Sequence, residues 1–381
     1  MNVPRIILAA AVVLSVFGGA NYYIARRQYQ WLELLSLNIN AKVYACVFIL
    51  IALSLFLGFL PLPVGLRRVF AWIGAYWTGI FVYLLIFTLL ADIFVILGSI
   101  TRIISSPTPQ TVLFCRGLIV VLLTVGLVSY GLFNANRTRY VSYDIQLREA
   151  SLNDLAIVLI SDLHMGSTSS FEKNLGSIVE AINYLDPDIV CIAGDIFNDN
   201  YSSVRDPDRA IALFKTLDAT YGVYACLGNH DGGHTLPQMM DFLEKSNIRL
   251  LNDEYVVIDG RLALFGRLDS SPIGGAGALL RKDIQEVMAS VGADMPVIVM
   301  EHNPSQIYRY GGEADLILSG HTHRGQIFPG SIITGLMYTA DYGHYQRDVD
   351  SPHVITTSGI GSWGPPMRIG TNNEIVSIVL R

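Results

Sequence analysis

The chain has 381 residues, 51% hydrophobic and only 15% charged, with a formal net charge of −6, a balance too apolar for an ordinary soluble enzyme. Residues 1–150 carry 11 Lys/Arg against 4 Asp/Glu and residues 151–381 carry 15 against 28, so the two parts are net +7 and −13 and suit different solvents. The acidic second part argues against nucleic acid as a partner, since such binders neutralise phosphates with a basic patch, and it suits a site that gathers divalent cations.

In chain order, four apolar runs come first, at about 6–24, 43–62, 70–98 and 112–133. Roughly 20 apolar residues cross a bilayer core as a helix, so each run is long enough to span. Residues 1–136 are expected to form a multi-pass, four-helix transmembrane region, with the bilayer as its partner. Trp31, Trp72 and Trp77 sit where an interfacial aromatic belt would place them. A cleavable-leader reading of residues 1–20 is weakened by the three further runs. With four spans both termini share a side. That side carries Arg5, Arg67, Arg68, Arg137 and Arg139, against Arg26, Arg27, Lys42 and Arg102 opposite, which leans towards both ends inside, in the cytoplasm. Asp92 in the third run and Arg116 near the start of the fourth are costly in lipid and are expected to pair or to snorkel.

From Thr138 the pattern changes, and a boundary near 136 leaves 137–381 as a second domain. RTRYVSYDIQL alternates like a half-buried strand. Short apolar runs follow, each ending in a polar loop: LAIVLISDLH, DIVCIAGD, VYACLGNHD, LALFGR, VIVMEHNP, DLILSGHTH and HVITTSGIG. Helical stretches at 171–185, 207–217, 236–246 and 278–291 separate several of them. Buried strands alternating with helices make an α/β domain, whose sites gather at the carboxyl ends of strands. Cys46, Cys115, Cys191 and Cys226 form no close C-x-x-C pair and read as small apolar residues.

All eight histidines lie after residue 160. The loops that hold most of them are Asp162-Leu163-His164, Gly228-Asn229-His230-Asp231, Glu301-His302-Asn303-Pro304 and Gly320-His321-Thr322-His323, with Gly194-Asp195 as a fifth. Imidazole and carboxylate together suit a pair of first-row divalent metals, while an amide oxygen completes a shell without charge. D-x-H and H-x-H would place alternate side chains on one side of an extended segment. Glycines before Asp195, Asn229 and His321 would let the backbone turn sharply behind each ligand.

These five blocks, in this order, resemble the signature of the calcineurin-like metallophosphoesterases: D-x-H, G-D, G-N-H-D/E, a lone His, then G-H-x-H. The resemblance covers about 150–381. GHTHRGQIFPG and TSGIGSWGPPMRIG resemble the branch whose phosphoesterase domain follows N-terminal membrane helices. It implies a two-sheet α/β/β/α sandwich and a dinuclear phosphohydrolase using two divalent ions, with Mn, Fe and Zn all fitting the donors. Asp162, His164 and His323 would bind the first ion and Asn229, His302 and His321 the second, with Asp195 bridging. His230 would face the phosphate and Asp231 would orient it. A metal-bridging hydroxide would attack a phosphate ester or pyrophosphate.

Tethering to the membrane points to a phosphorylated, lipid-linked substrate. GSTSSFEKN and SSPIGGAGALL are candidate rim segments, and Arg324 and His234 are candidate substrate contacts. The other readings are a non-catalytic scaffold on the same fold, disfavoured by the whole ligand set, and the regulatory domain of a membrane transporter, resting on Asp92 and Arg116 alone.

Overall fold

The computed structural model describes residues 3–60, 62–147, 154–288 and 295–381. The chain divides into two compact units, Met1–Gly131 and Leu132–Arg381.

The first unit is helical: α1 (Val3–Leu34), α2 (Ala41–Leu57), α3 (Val64–Ile100) and α4 (Gln110–Asn134). Three stretches, Ile7–Leu34, Gly65–Ile100 and Gln110–Asn134, are long and apolar enough to cross a membrane. Even the shortest of them, 25 residues, reaches about 37 Å, against a bilayer core of roughly 30 Å. The second run differs from expectation. α2 has 17 residues, or about 25 Å, because Gly58 caps it and Pro63 stands before α3. Cys46 and Cys115 are exposed on these helices.

Asp92 and Arg116 are paired. Asp92 accepts from Arg116 Nη1 through Oδ1 at 2.8 Å, and through Oδ2 from Arg27 Nη2 and the Tyr23 hydroxyl, both at 2.7 Å. The carboxylate therefore ties α1, α3 and α4 together.

The second unit holds two six-stranded mixed sheets. The first contains β1 (Thr138–Ile145), β2 (Leu155–Ile160), β3 (Ile189–Ala193), β4 (Val223–Cys226), β5 (Ile248–Leu250) and β12 (Asn373–Leu380), in the order β1-β12-β2-β3-β4-β5. The second contains β6 (Glu254–Ile258), β7 (Leu262–Gly266), β8 (Val297–Met300), β9 (Leu316–Ser319), β10 (Gly343–Tyr345) and β11 (His353–Thr356), in the order β10-β11-β9-β8-β7-β6. β2 to β5 run parallel, as do β7, β8, β9 and β11. Strands buried on both faces need no polar alternation. In β3, Ile189, Cys191 and Ala193 pack into the core between the sheets, while Val190 and Ile192 face the outer helices.

Helices α5 (Phe171–Tyr184), α6 (Pro207–Phe214) and α7 (Leu236–Lys245) supply side chains to that outer core. α5 buries Phe171, Leu175, Ile178, Val179 and Ile182, a stripe at helical spacing. α6 starts with Asp206 accepting from Arg209 N and Pro207 in its first turn. On the far side of the second sheet the described residues hold α8 (Ile284–Met288) and a 3-10 turn at Pro304–Arg309. The stretch expected at 278–291 starts later, and its last residues lie outside those described.

Candidate metal centre

Five loops converge beyond the carboxyl ends of the strands. Ser161–His164 follow β2, Gly194–Asp195 follow β3, Leu227–Asp231 follow β4, Glu301–His302 follow β8 and Gly320–His323 follow β9. Three groups have ligand atoms within 4.8 Å of one another: Asp162, His164 and His323; His164, Asp195 and His230; and Asp195, His302 and His321. Asn229 joins the last, its Oδ1 lying 2.7 Å from His321 Nδ1. Asp195 sits at the middle. Its Oδ2 is 3.2 Å from His302 Nε2 and 3.7 Å from His164 Nε2, and its Oδ1 accepts the His230 N–H at 2.8 Å.

The backbone reaches this arrangement by a route the spacing did not indicate. Asp162, His164, Asp195, His321 and His323 all have left-handed φ, between 46° and 71°, so D-x-H and H-x-H are not extended segments. Such strain in non-glycine residues clusters at functional sites. Gly194 does turn sharply, with φ +80°. Gly228 and Gly320 have ordinary φ and are small for another reason: a Cβ would strike Asp195 and Ser161 respectively.

The donor chemistry fits cations. His302 Nδ1 lies 2.7 Å from the Ala193 carbonyl, which holds its proton there and aims Nε2 at Asp195. That buried Nε2 has no hydrogen-bond partner, nor does His164 Nδ1. Buried polar atoms are rarely left unpaired, and either a proton or a metal ion satisfies the His302–Asp195 contact. His164 and His323 bring their Nε2 atoms to 3.0 Å, with His323 Nε2 also 3.3 Å from Asp162 Oδ1. Burial pulls His164 down to about 3 and His321 to about 4. Burial, with the Arg368 cation beside it, pulls His323 well below its usual value. All three are thus neutral imidazoles at neutral pH, the form that ligates. Burial pushes Asp162 up to about 6 against the opposing pull of His302. Burial would raise Asp195 too, but His302 above all, with His230, holds it low and charged.

His230 presents its ring beside this centre, with a ring centroid 5.0 Å from that of His164. The expected orienting contact from Asp231 is not made. Asp231 is buried and accepts backbone N–H groups of Gly228, Ile196 and Phe197, bracing two ligand loops against each other. Asp199 instead lies 2.7 Å from His230 Nδ1. Its carboxylate, helped by Asp195 and Asp231, raises the His230 pKa over the opposing effect of burial.

The two weaker candidates divide. Arg324 stacks over Tyr342 at 4.3 Å, directly after His323. His234 is exposed on the turn Gly233–Thr235, outside the three ligand groups. Of the candidate rim segments, the second reaches a candidate ligand, with Ile273 N donating to Asn229 O, while in the first Thr168 Oγ1 donates to Gly364 O.

Four residues beside the centre were not singled out from the sequence. Asp199 stands four residues after Asp195, a spacing with no motif value by itself. The Tyr338 hydroxyl is 3.0 Å from His321 Nε2, and the Trp363 ring lies 6.0 Å from that of His230. Arg368 is fully buried, donates to His323 O and Gly361 O, and stands 3.2 Å from His323 Nδ1. It lies within TSGIGSWGPPMRIG, the only signal that could have found it.

Residues 155–325 match the family described as calcineurin-like phosphoesterase. A metallophosphoesterase of Aquifex aeolicus is 30% identical over 60% of this chain and 85% of its own. The chain belongs to that family. Its members use a dinuclear divalent centre, and this phosphoesterase is accordingly a metal-dependent hydrolase. A metallophosphoesterase of Campylobacter jejuni is 28% identical over 97% of both chains. A transmembrane protein with metallophosphoesterase domain from Danio rerio is 31% identical over 70% of this chain and 63% of its own. With three helices able to span, the phosphoesterase is a membrane protein.

Proposed function

We propose that residues 137–381 hydrolyse a phosphate ester or pyrophosphate of a lipid-linked substrate, held at the membrane by residues 1–136. The observation that carries this reading is that the ligand groups of Asp162, His164 and His323 and of Asp195, His302 and His321 are linked through His164 and Asp195, with Asn229 beside His321, in a chain that also carries helices long and apolar enough to span a membrane. Asp162, His164 and His323 would hold one ion, Asn229, His302 and His321 the other, with Asp195 shared. Bound divalent ions supply Lewis acidity towards phosphoryl oxygens and make water more acidic. The chain's residues do the rest. The Ala193 carbonyl fixes the tautomer of His302 and the Tyr338 hydroxyl caps the far nitrogen of His321, as outer partners do for ligating imidazoles. His230, kept protonated by Asp199, gives its proton to the leaving oxygen. Arg324 reaches for the substrate's anionic group, and His234 lies outside that contact.

Phosphate release from vesicle-presented lipid phosphates and pyrophosphates, against soluble nitrophenyl esters, with Mn, Fe or Zn supplied, tests the substrate class. Equal turnover on both would remove the lipid-linked reading. Asp195→Asn and His302→Ala should each lose bound metal by elemental analysis and lower kcat by about 10²–10³-fold, the scale of removing one electrostatic contribution, with circular dichroism unchanged.

We also read α2 as a fourth, short span, extended by the apolar residues that follow it, so that both termini share the cytoplasmic side. Arg27, one of the opposing charges, is taken up by Asp92, which strengthens the positive-inside balance. Asp92 has three partners, which favours a structural place for it over the transporter reading.

A further inference from the structure

We infer that the helix α9 (Gly330–Met337) and the segments flanking it are a membrane-contact surface, covered by the bilayer at the mouth of the metal centre. α9 reads GSIITGLM and buries none of its residues. Ile332, Ile333, Leu336 and Met337 are 54%, 58%, 84% and 68% exposed, and Phe328 and Trp363 about half. A helix on a soluble surface turns its apolar stripe to the core; this one turns it outward. Contiguous exposed apolar patches mark interaction surfaces. Between Arg324 and Arg347 the only Asp, Glu, Lys or Arg is Asp341, so the patch carries almost no charge to keep in water.

The hydrogen bonds at the start of the second unit identify the occupant. Asn134, the last residue of α4, donates through Nδ2 to Arg368 O at 3.1 Å and Thr371 O at 2.8 Å. Asn373 Nδ2 donates back to Ala135 O. The same 368–371 loop pairs with the chain leading into α9: Phe328 N donates to Ile369 O, and Ile369 N to Gln326 O. Gln326 in turn holds Trp363, donating to its carbonyl and accepting its N–H. The patch is thus fastened to the end of a helix long enough to cross a bilayer. Arg137 stacks over Phe133 at 4.3 Å just beyond that end, as a residue at the headgroup level does. By covalent and hydrogen-bonded continuity α9 is therefore joined to the end of α4, and the occupant we infer is the bilayer that α4 would cross.

The patch borders the centre on two sides, through Tyr338 beside His321 and Trp363 beside His230. Seated in lipid, it would open the centre onto the headgroup layer. That consequence rests on the lipid-linked reading above; the membrane contact itself does not.

The test uses the full chain in vesicles of phosphatidylethanolamine and phosphatidylglycerol, with Cys46 and Cys115 replaced by alanine and the buried Cys191 and Cys226 retained. Nitroxide labels are placed at Ile333→Cys and Leu336→Cys, with Tyr184→Cys on α5, 89% exposed, as the aqueous control. Collision with oxygen should exceed collision with a water-soluble nickel chelate at 333 and 336, and the ratio should reverse at 184. A water-like ratio at 336 would overturn the inference. So would shielding of 336 from both reagents, which would mean that protein covers the patch. No substrate enters the measurement, so its result stands apart from that of the phosphate-release screen.

Discussion

The residue that most changes the expected chemistry is Asp199. Paired with His230 at 2.7 Å, it supports a protonated imidazole, and the protonated form is complete below the folded pKa and lost as pH rises through it. Replacing Asp199 with Asn removes the stabilising charge and lowers that pKa. The alkaline limb of kcat should therefore move to lower pH, with the acid limb unmoved, in a pH–rate profile on a soluble ester. The loss of kcat above the limb is bounded by the about 10²–10⁴-fold that a positioned general acid contributes. An unshifted limb would remove His230 from the proton transfer. The contrast with Asp231 shows what sequence can and cannot carry at this scale. The seven expected ligand positions could be singled out because metal coordination favours those residue types, and six of them fall in the ligand-distance groups. The choice between two aspartates could not be made, because Asp231 adjoins His230 in the chain while Asp199 lies 31 residues before it, and only the packing of the β3 and β4 loops brings Asp199 to the ring.

Among elements, strands were the most legible: the seven apolar runs read after residue 150 appear as β2, β3, β4, β7, β8, β9 and β11. Short or edge strands such as β5, β6 and β10 were not read, since three to five residues carry too little pattern. α9 was missed for a different reason. Its apolar residues have no core to fill, so nothing in their spacing distinguishes helix from strand. The helices of the first unit were legible by length, but α2 ends short of its apolar run because a cap, not hydropathy, sets its boundary. The Asp92 cluster links three helices of that unit. Asp92→Asn leaves Arg27 and Arg116 facing each other without a counter-charge, and breaking a buried pair in this way costs about 3–5 kcal/mol. A thermal melt in detergent should show that loss, with phosphate release on soluble esters retained below the new transition.

The molecule as a whole divides its tasks between two compact units, and its stability should divide likewise. A metal that binds only the folded phosphoesterase contributes about 2.7 kcal/mol at 100 times its Kd. For a unit of this size, 1 kcal/mol moves Tm by roughly 2–4 °C. Chelation should therefore lower one calorimetric transition by about 5–10 °C and leave the membrane unit's transition in place. A single transition moving as one would show that the units unfold together.

The order of the first sheet also bears on how the chain is made. β12, made after every other strand, lies between β1 and β2, parallel to one and antiparallel to the other. While the nascent chain grows, the membrane helices can insert first, but β1 and β2 keep uncovered edges until residues 373–380 emerge. A message truncated before that point would leave an anchored polypeptide with two open strand edges, a natural client for chaperones and membrane proteases.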